Sequence, residues 1–226
     1  HGSGDGSASQ VRQAQREGGL TWFLSSIARL KLFNPDNRLN HQLSPEALER
    51  LLEVLRTDQN RPVCNVALFL LSTGARLNEA LTATWDQIDT ANRVWRIPAA
   101  NSKSKRVRSV PLNDSAMEVL EGLGTEVKVG RLFVSSKTGE PLGHIHKVWS
   151  RIRCSAGLPT LRLHTLRALF ASFLVNSGKS LYTVQKILGH SSHAVTERYA
   201  VLNSQSLMDA ANSASMIIKG AMREAA

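Results

Sequence analysis

The spacing of apolar residues in this chain is helical on both sides of one short stretch, where it becomes the spacing of strands. The segments VWRIPA (94–99) and RVRSVPL (106–112) predict two short strands, and the polar segment NSKSK between them predicts the loop of a hairpin. We therefore expect a mainly α (α+β) fold, in which a helical domain carries one small antiparallel β-sheet or hairpin near its first third.

Capping residues mark the helices around this hairpin. Ser44 is expected to cap a helix that begins with Pro45. A second helix, about Pro62 to Ser72, is apolar nearly all round and should be central to the core, with Gly74 ending it just before Arg76. Further helices are expected over NDSAMEVLEGLG, IHKVWSRIRCSAG, HTLRALFASFLV, SLYTVQKILG and HAVTERYAVL, and over a C-terminal stretch of about 204–223.

The chain carries a large positive charge. Lysine and arginine total 28 against 18 for aspartate and glutamate, which gives a formal charge of +10 and a pI near 10.2. Such a charge favours a polyanionic partner, most simply nucleic acid. An ordinary basic soluble protein could have the same composition, so charge alone leaves both interpretations open.

Cysteine content and hydropathy indicate a cytoplasmic protein. Cys64 and Cys154 form neither a disulfide framework nor a metal-binding spacing. The longest apolar runs are far shorter than the roughly 18 residues that cross a membrane, so no membrane association is expected. Residues 1–10, HGSGDGSASQ, are expected to be a tag or disordered tail that takes no part in the fold.

Several residues have side chains suited to chemistry on a phosphate group. Arginine donates two parallel hydrogen bonds to phosphate and keeps its proton. His164 and Arg167 are three residues apart at a predicted helix start, which puts them on one face where the helix N-terminus also attracts an anion. The candidate set is Arg76, Lys103, His164, Arg167, His190 and Tyr199.

Taken one at a time, these residues have ordinary structural interpretations. An isolated arginine is usually a solvated surface charge, and a lone histidine more often packs or lies on the surface, as expected for His144, His146 and His193. Of the two tyrosines in the chain, Tyr182 lies among apolar residues and is expected at the margin of the core. The order and spacing of the whole set favours a functional site that includes Tyr199.

Two segments that contain candidate residues resemble motifs of the tyrosine recombinase (phage integrase) family. LLSTGARLNEAL is similar to the family's first arginine box, which implies that Arg76 is a catalytic arginine and that Glu79 orients it. NSKSKRVRSVPL resembles the β-hairpin that carries the catalytic lysine. The resemblance places that lysine at Lys103, with Lys105 as the neighbouring alternative.

The remaining boxes follow in the order typical of the family. LHTLRALFAS resembles the second box and implies catalytic roles for His164 and Arg167, although Ala168 stands where many members have a histidine. ILGHSS implies a role for His190, and TERYAVL implies that Tyr199 is the nucleophile.

The resemblance implies a function and a domain organisation. Residues 41–226 would form a catalytic domain, and residues 11–40 a remnant of a core-binding domain plus a linker. The protein would be a site-specific recombinase (integrase) that cleaves and rejoins double-stranded DNA through a 3′-phosphotyrosyl intermediate, without a metal or other cofactor, as a homo-oligomer (tetramer) on DNA. A type IB topoisomerase-like or telomere-resolving enzyme, or a non-catalytic DNA-binding relative, is the alternative. The C-terminal helix would pack on its own domain or on a neighbouring protomer.

Overall fold

The computed structural model describes the central part of the chain, residues 43–102, 105, 107–124 and 128–189. The expected tail, the core-binding remnant and the C-terminal helix lie outside these residues. Four site candidates lie inside them, namely Arg76, Glu79, His164 and Arg167. Three lie outside, namely Lys103, His190 and Tyr199.

The described residues form a mainly helical domain with one small sheet, which confirms the expected fold class. The helices are α1 (Pro45–Thr57), α2 (Arg61–Thr73), α3 (Leu77–Leu81), α4 (Asp114–Glu121), α5 (His146–Ser155), α6 (Leu163–Asn176) and α7 (Leu181–Leu188). The strands are β1 (Ile88–Asp89), β2 (Val94–Ile97) and β3 (Arg108–Pro111). None of the helices described is long and apolar enough to cross a membrane.

The sheet is antiparallel with strand order β1-β2-β3. The β2–β3 pair is the predicted hairpin, and Trp95 lies opposite Val110 in its register. Strand β1 was not predicted, because two residues are too few to show an alternating pattern. Alternation along β3 buries Arg108 and Val110 and exposes Ser109, so an arginine occupies an inward-facing position.

Helix α1 begins where its capping residues predict. The Ser44 side chain accepts a hydrogen bond from the Ala47 backbone N–H, and Pro45 occupies the first turn. The apolar face that packs on the rest of the domain consists of Leu48, Leu51, Leu52 and Leu55. Burial of this face, more than helix propensity, stabilises the helix.

Helix α2 lies at the centre of the core, as its apolar composition predicts. It packs against α1, α4 and α6, and Phe69 on α2 meets the sheet, with its ring centroid 5.3 Å from that of Trp95. Gly74 ends the helix in the left-handed conformation, with φ of 63°. The turn at Gly74 sets the position of Arg76 at the edge of this core.

A smaller apolar cluster joins α6 to α7. Its buried members are Phe170, Ala171, Val175, Val184 and Leu188. Gly74 also lies against this cluster, because a Cβ there would be 2.3 Å from Phe170 Cδ1 and 2.8 Å from Leu188 Cδ2. Close packing at Gly74 therefore brings the end of α2 and the end of α7 together.

Candidate active site

Arg76 and Glu79 form a compact unit at the start of α3. The Arg76 backbone N–H donates to Glu79 Oε2 at 2.9 Å, and Arg76 Nη1 donates to Oε1, also at 2.9 Å. The Glu79 side chain is 1% exposed, whereas that of Arg76 is 28% exposed. The buried carboxylate thus holds a guanidinium that still reaches the surface, the contact that the family resemblance implies. The catalytic role of Arg76 stays a prediction.

A further arginine, Arg108 on β3, shares the Glu79 carboxylate. Arg108 Nη2 donates to Glu79 Oε2 at 3.0 Å, and Nη1 donates to the carbonyl oxygens of Ile187, at 3.1 Å, and Leu188. Burial lowers the pKa of Arg108, Glu79 partly opposes that shift, and Arg76 adds to it. Sequence reasoning missed this residue. The alternating pattern of RVRSVPL could have indicated it, because this pattern puts Arg108 on the same, inward-facing side of the strand as Val110.

Arg167 connects two chain segments that are distant in sequence. It lies on α6, where Nη1 donates to the Gly74 carbonyl oxygen at 2.6 Å and Nη2 donates to the Leu188 carbonyl oxygen at 2.8 Å. The side chain is half-buried. Because Gly74 is two residues from Arg76, these contacts bring the arginines of both predicted boxes to one place.

The end of α7 is the second meeting point of the site. The Leu188 carbonyl oxygen accepts hydrogen bonds from both Arg108 and Arg167. Gly189 follows with φ of 66°, and a Cβ there would lie 2.5 Å from Arg108 Cδ. Only glycine combines this backbone conformation with so close an approach. The next residue, His190, is the predicted site histidine and lies outside the described residues.

The start of α6 presents His164 to solvent. His164 is the second residue of the helix, and its side chain is exposed. The preceding chain is held by two donors to the Leu161 carbonyl oxygen, Trp149 Nε1 at 3.0 Å and Arg153 Nη1 at 3.1 Å. The predicted helix start before the HTLR segment is therefore correct, and α5 supports it.

The arrangement is suited to binding an anion. Arg76 and Arg108 share a single carboxylate, Glu79, and Arg167 donates to the Gly74 carbonyl two residues before Arg76, so positive charge exceeds negative charge in this group of side chains. Arg76 and Arg167 are only partly buried, so they are accessible to a ligand. A phosphate would find planar, permanently charged donors there. Among the described residues, no group of histidine, cysteine, aspartate and glutamate is arranged to hold a metal ion.

The histidines and the tyrosine that were expected to have only structural roles can be compared with their positions in the structure. His144 and His146 are exposed, as expected, and His193 lies outside the described residues. The position expected for Tyr182 is wrong: it is 60% exposed, with Lys186 Nζ 5.2 Å from its ring centroid. In α7, Val184 and Leu188 face the core. Tyr182 is two residues before Val184, and two residues correspond to about half a helical turn, so its side chain lies on the opposite face of the helix.

Comparison with known proteins gives the family. The sequence model of the phage integrase family matches residues 41–206. The chain belongs to this family. It is 30% identical over 204 residues to the integrase of Salmonella phage P22, a match that covers 85% of this chain and 51% of that protein. The family member described here thus spans about half the length of this curated relative.

Solved structures agree with the family and the fold. The catalytic domain of bacteriophage HP1 integrase matches with a TM-score of 0.59 and 29% identity, covering 75% of this chain and 92% of that one. The XerH site-specific recombinase bound to its palindromic difH substrate matches with a TM-score of 0.58 and 25% identity, covering 79% of this chain and 55% of that one. This integrase-family chain therefore has the fold of a recombinase catalytic domain.

Proposed function

We propose that this chain is the catalytic domain of a site-specific recombinase that cleaves and rejoins double-stranded DNA through a covalent 3′-phosphotyrosyl intermediate. The observation that carries the proposal is the contact between Arg167 and the Gly74 carbonyl, because it joins two predicted arginine boxes 93 residues apart. Family membership and the similarity to DNA-acting recombinases support the same function.

Charge stabilisation in this reaction is assigned to Arg76, Arg167 and His190. Phosphoryl transfer needs mainly positioning and donors for the charge on the non-bridging oxygens. Arg76 is held by a buried carboxylate and Arg167 by two backbone carbonyls, so both guanidinium groups are oriented before a substrate arrives. Such preorganisation lowers the barrier because the donors need not reorganise as the charge develops.

Tyr199 is assigned as the nucleophile. A phenol has a pKa of about 10, so it needs a proton acceptor to attack at neutral pH. His164, exposed at the start of α6, is assigned as that acceptor. As the tyrosine oxygen bonds to phosphorus, the 5′ oxygen leaves and takes a proton from Lys103. Attack by the 5′ hydroxyl of another strand on the phosphotyrosine reverses these steps, so rejoining needs no nucleotide cofactor.

The proposed substrate also sets the assembly. Exchange between two DNA duplexes breaks four strands, and each copy of this chain carries one Tyr199, so a complete exchange uses four copies. The +10 formal charge is consistent with a DNA partner, and binding should weaken as salt rises because phosphate contacts release counterions. We therefore propose a homotetramer on DNA.

Covalent capture tests the nucleophile. The protein is incubated with a pool of DNA duplexes in which a randomised segment surrounds a single nick, so that cleavage near the nick releases a short fragment and traps the adduct. Wild type and Tyr182→Phe, which changes an exposed tyrosine, are expected to form an adduct on the 3′ phosphate. Tyr199→Phe is expected to form none. An adduct with Tyr199→Phe would refute the assignment.

The duplexes recovered from the covalent adducts are then used to test the general acid. Lys103→Ala should cleave slowly, whereas Lys105→Ala should cleave at close to the wild-type rate. A duplex with a sulfur at the 5′ bridging position should restore cleavage by Lys103→Ala, because a thiolate leaves without a proton. Slow cleavage by Lys105→Ala with the same sulfur rescue would move the role to Lys105.

The products separate recombination from relaxation. Two duplexes that carry the selected sequence should yield recombinant strands. Relaxation of a supercoiled plasmid without recombinant strands would instead favour a type IB topoisomerase-like enzyme.

A further inference from the structure

We propose that Arg108 is a positioning residue, which fixes the end of α7 relative to Arg76 and so places His190 for DNA cleavage. This inference rests on the proposed function. Arg108 does not belong to the six predicted site residues, and it is 8% exposed, so it acts through the residues that it contacts.

Burial of Arg108 points to a positioning role. A buried guanidinium loses its hydration, and an apolar side chain of similar volume often gives equal or greater stability. The inward-facing position on β3 already has apolar neighbours, since Val110 occupies the same face. An arginine there supplies donors in fixed directions, which an apolar side chain cannot.

The contacts of Arg108 join the two halves of the site. One end of the guanidinium, Nη2, meets the Glu79 carboxylate that also holds Arg76. The other end, Nη1, meets the carbonyl oxygens of Ile187 and Leu188. These carbonyls belong to the last turn of α7, and the last carbonyl groups of a helix have no partner within the helix. Among the described residues, arginine side chains donate to them. A shift of the helix end would therefore break hydrogen bonds to a buried charge.

Gly189 adds a steric limit to the same contact. A Cβ at this position would lie 2.5 Å from Arg108 Cδ and 3.0 Å from Nη1. The backbone one residue before His190 is thus in direct contact with the Arg108 side chain. Arg108 and Gly189 fit as a pair, so a change at one should alter the effect of a change at the other.

The test compares cleavage and affinity on a nicked duplex taken from the selection above. Arg108→Met keeps an unbranched side chain but removes every donor. We expect adduct formation to slow by about 100-fold, the order of loss for a small misplacement of a catalytic group, while the Kd for DNA stays within about twofold. A 5′-bridging sulfur should not restore the rate, because the leaving group already has its proton donor.

Two further variants separate positioning from loss of structure. Arg108→Lys keeps one charge but cannot reach the carboxylate and both carbonyls together, so we expect cleavage about tenfold slower than wild type. Arg151→Met is the matched control: it breaks a bidentate pair between α5 and Asp58, the residue that ends α1, and should cleave at the wild-type rate. Gly189→Ala should slow cleavage strongly in the wild type and much less in Arg108→Met.

The outcomes distinguish this inference from the proposed function. Failure of wild type to form any adduct would overturn the proposed function. A wild type that forms the adduct, with folded Arg108→Met cleaving at the same rate, would overturn the positioning role alone. If Arg108→Met does not fold, Arg108→Lys decides, and a wild-type rate for that variant would likewise overturn the role.

Discussion

Arg167 donates a hydrogen bond of 2.6 Å from Nη1 to the carbonyl oxygen of Gly74, at the end of the helix that precedes Arg76. The same guanidinium donates to the Leu188 carbonyl at the end of α7. One side chain therefore ties together the elements that lead into two other predicted site residues, Arg76 and His190. The geometry of the site depends on backbone contacts as much as on its charged groups.

Replacement of Arg167 by lysine should reduce cleavage much more than DNA affinity. The lysine ammonium keeps the charge, but it lacks the planar set of N–H donors with which a guanidinium can bind two carbonyl oxygens and a phosphate at once. We expect adduct formation to fall by about 100-fold, the loss typical of removing one preorganised donor. Arg162→Lys, at an exposed position just before α6, is the control and should leave the rate unchanged. Equal losses in both variants would contradict the specific role of Arg167.

Glu79→Gln should destabilise the domain strongly. The substitution leaves Arg76 and Arg108 without the buried carboxylate that accepts from both. Removal of one partner of a buried ion pair costs about 3–5 kcal/mol of unfolding free energy, measured by urea denaturation at neutral pH. The control is Glu53→Gln, which breaks an exposed pair with Arg56 and should cost less than about 1 kcal/mol. A similar small loss for Glu79→Gln would show that the carboxylate charge is dispensable.

Gly74→Ala should destabilise the domain through two separate effects. The backbone has φ of 63°, which costs a residue with a side chain about 1–2 kcal/mol. The new Cβ would also lie 2.3 Å from Phe170 Cδ1, and such overpacking costs about 1–3 kcal/mol more. Gly139→Ala has φ of 70° with no described atom within 4 Å, so it measures the backbone cost alone. Equal losses of unfolding free energy would exclude the packing effect.

The Asp58–Arg151 pair should make stability depend on pH. The Arg151 guanidinium, with help from the Asn60 backbone N–H, lowers the pKa of Asp58. A lowered pKa means that the stabilisation is complete above the unfolded-state value of about 4 and is lost as pH falls through the folded-state value. Asp58→Asn should therefore cost about 1 kcal/mol at pH 7 and progressively less below pH of about 4. A difference that does not change with pH would contradict this account.

Thiol labelling should distinguish the two cysteines. Cys64 is fully buried in α2, and burial raises the pKa of its thiol to about 11. The thiolate is the reactive form, so iodoacetamide near neutral pH should not modify Cys64 in the folded protein. Cys154 is exposed and should be modified, and denaturant should make both react. Mass spectrometry of the digested protein gives the result. Rapid labelling of Cys64 without denaturant would contradict its position in the core.

Local patterns were sufficient for most elements of the fold. Ser44 and Pro45 predict the start of α1, and Gly74 predicts the end of α2, because a cap or a left-handed turn depends on residues within one helical turn. The β2–β3 hairpin follows from its alternation. The position predicted for Tyr182, at the margin of the core, is wrong. Its neighbours in sequence are apolar, but its own side chain lies on the solvent-exposed face of the helix.

Motif order and short-range periodicity were enough to predict the family, the mainly helical fold and the candidate site residues other than Arg108. The packed domain was needed to show that Arg108 joins Glu79 to the end of α7, and that Arg167 spans from Gly74 to Leu188. The nature of the hydrogen-bond acceptors explains why these arginine contacts could not be predicted. Several of them are backbone carbonyls, which are chemically alike in every residue, so only the packing of distant segments determines which carbonyl a buried guanidinium meets.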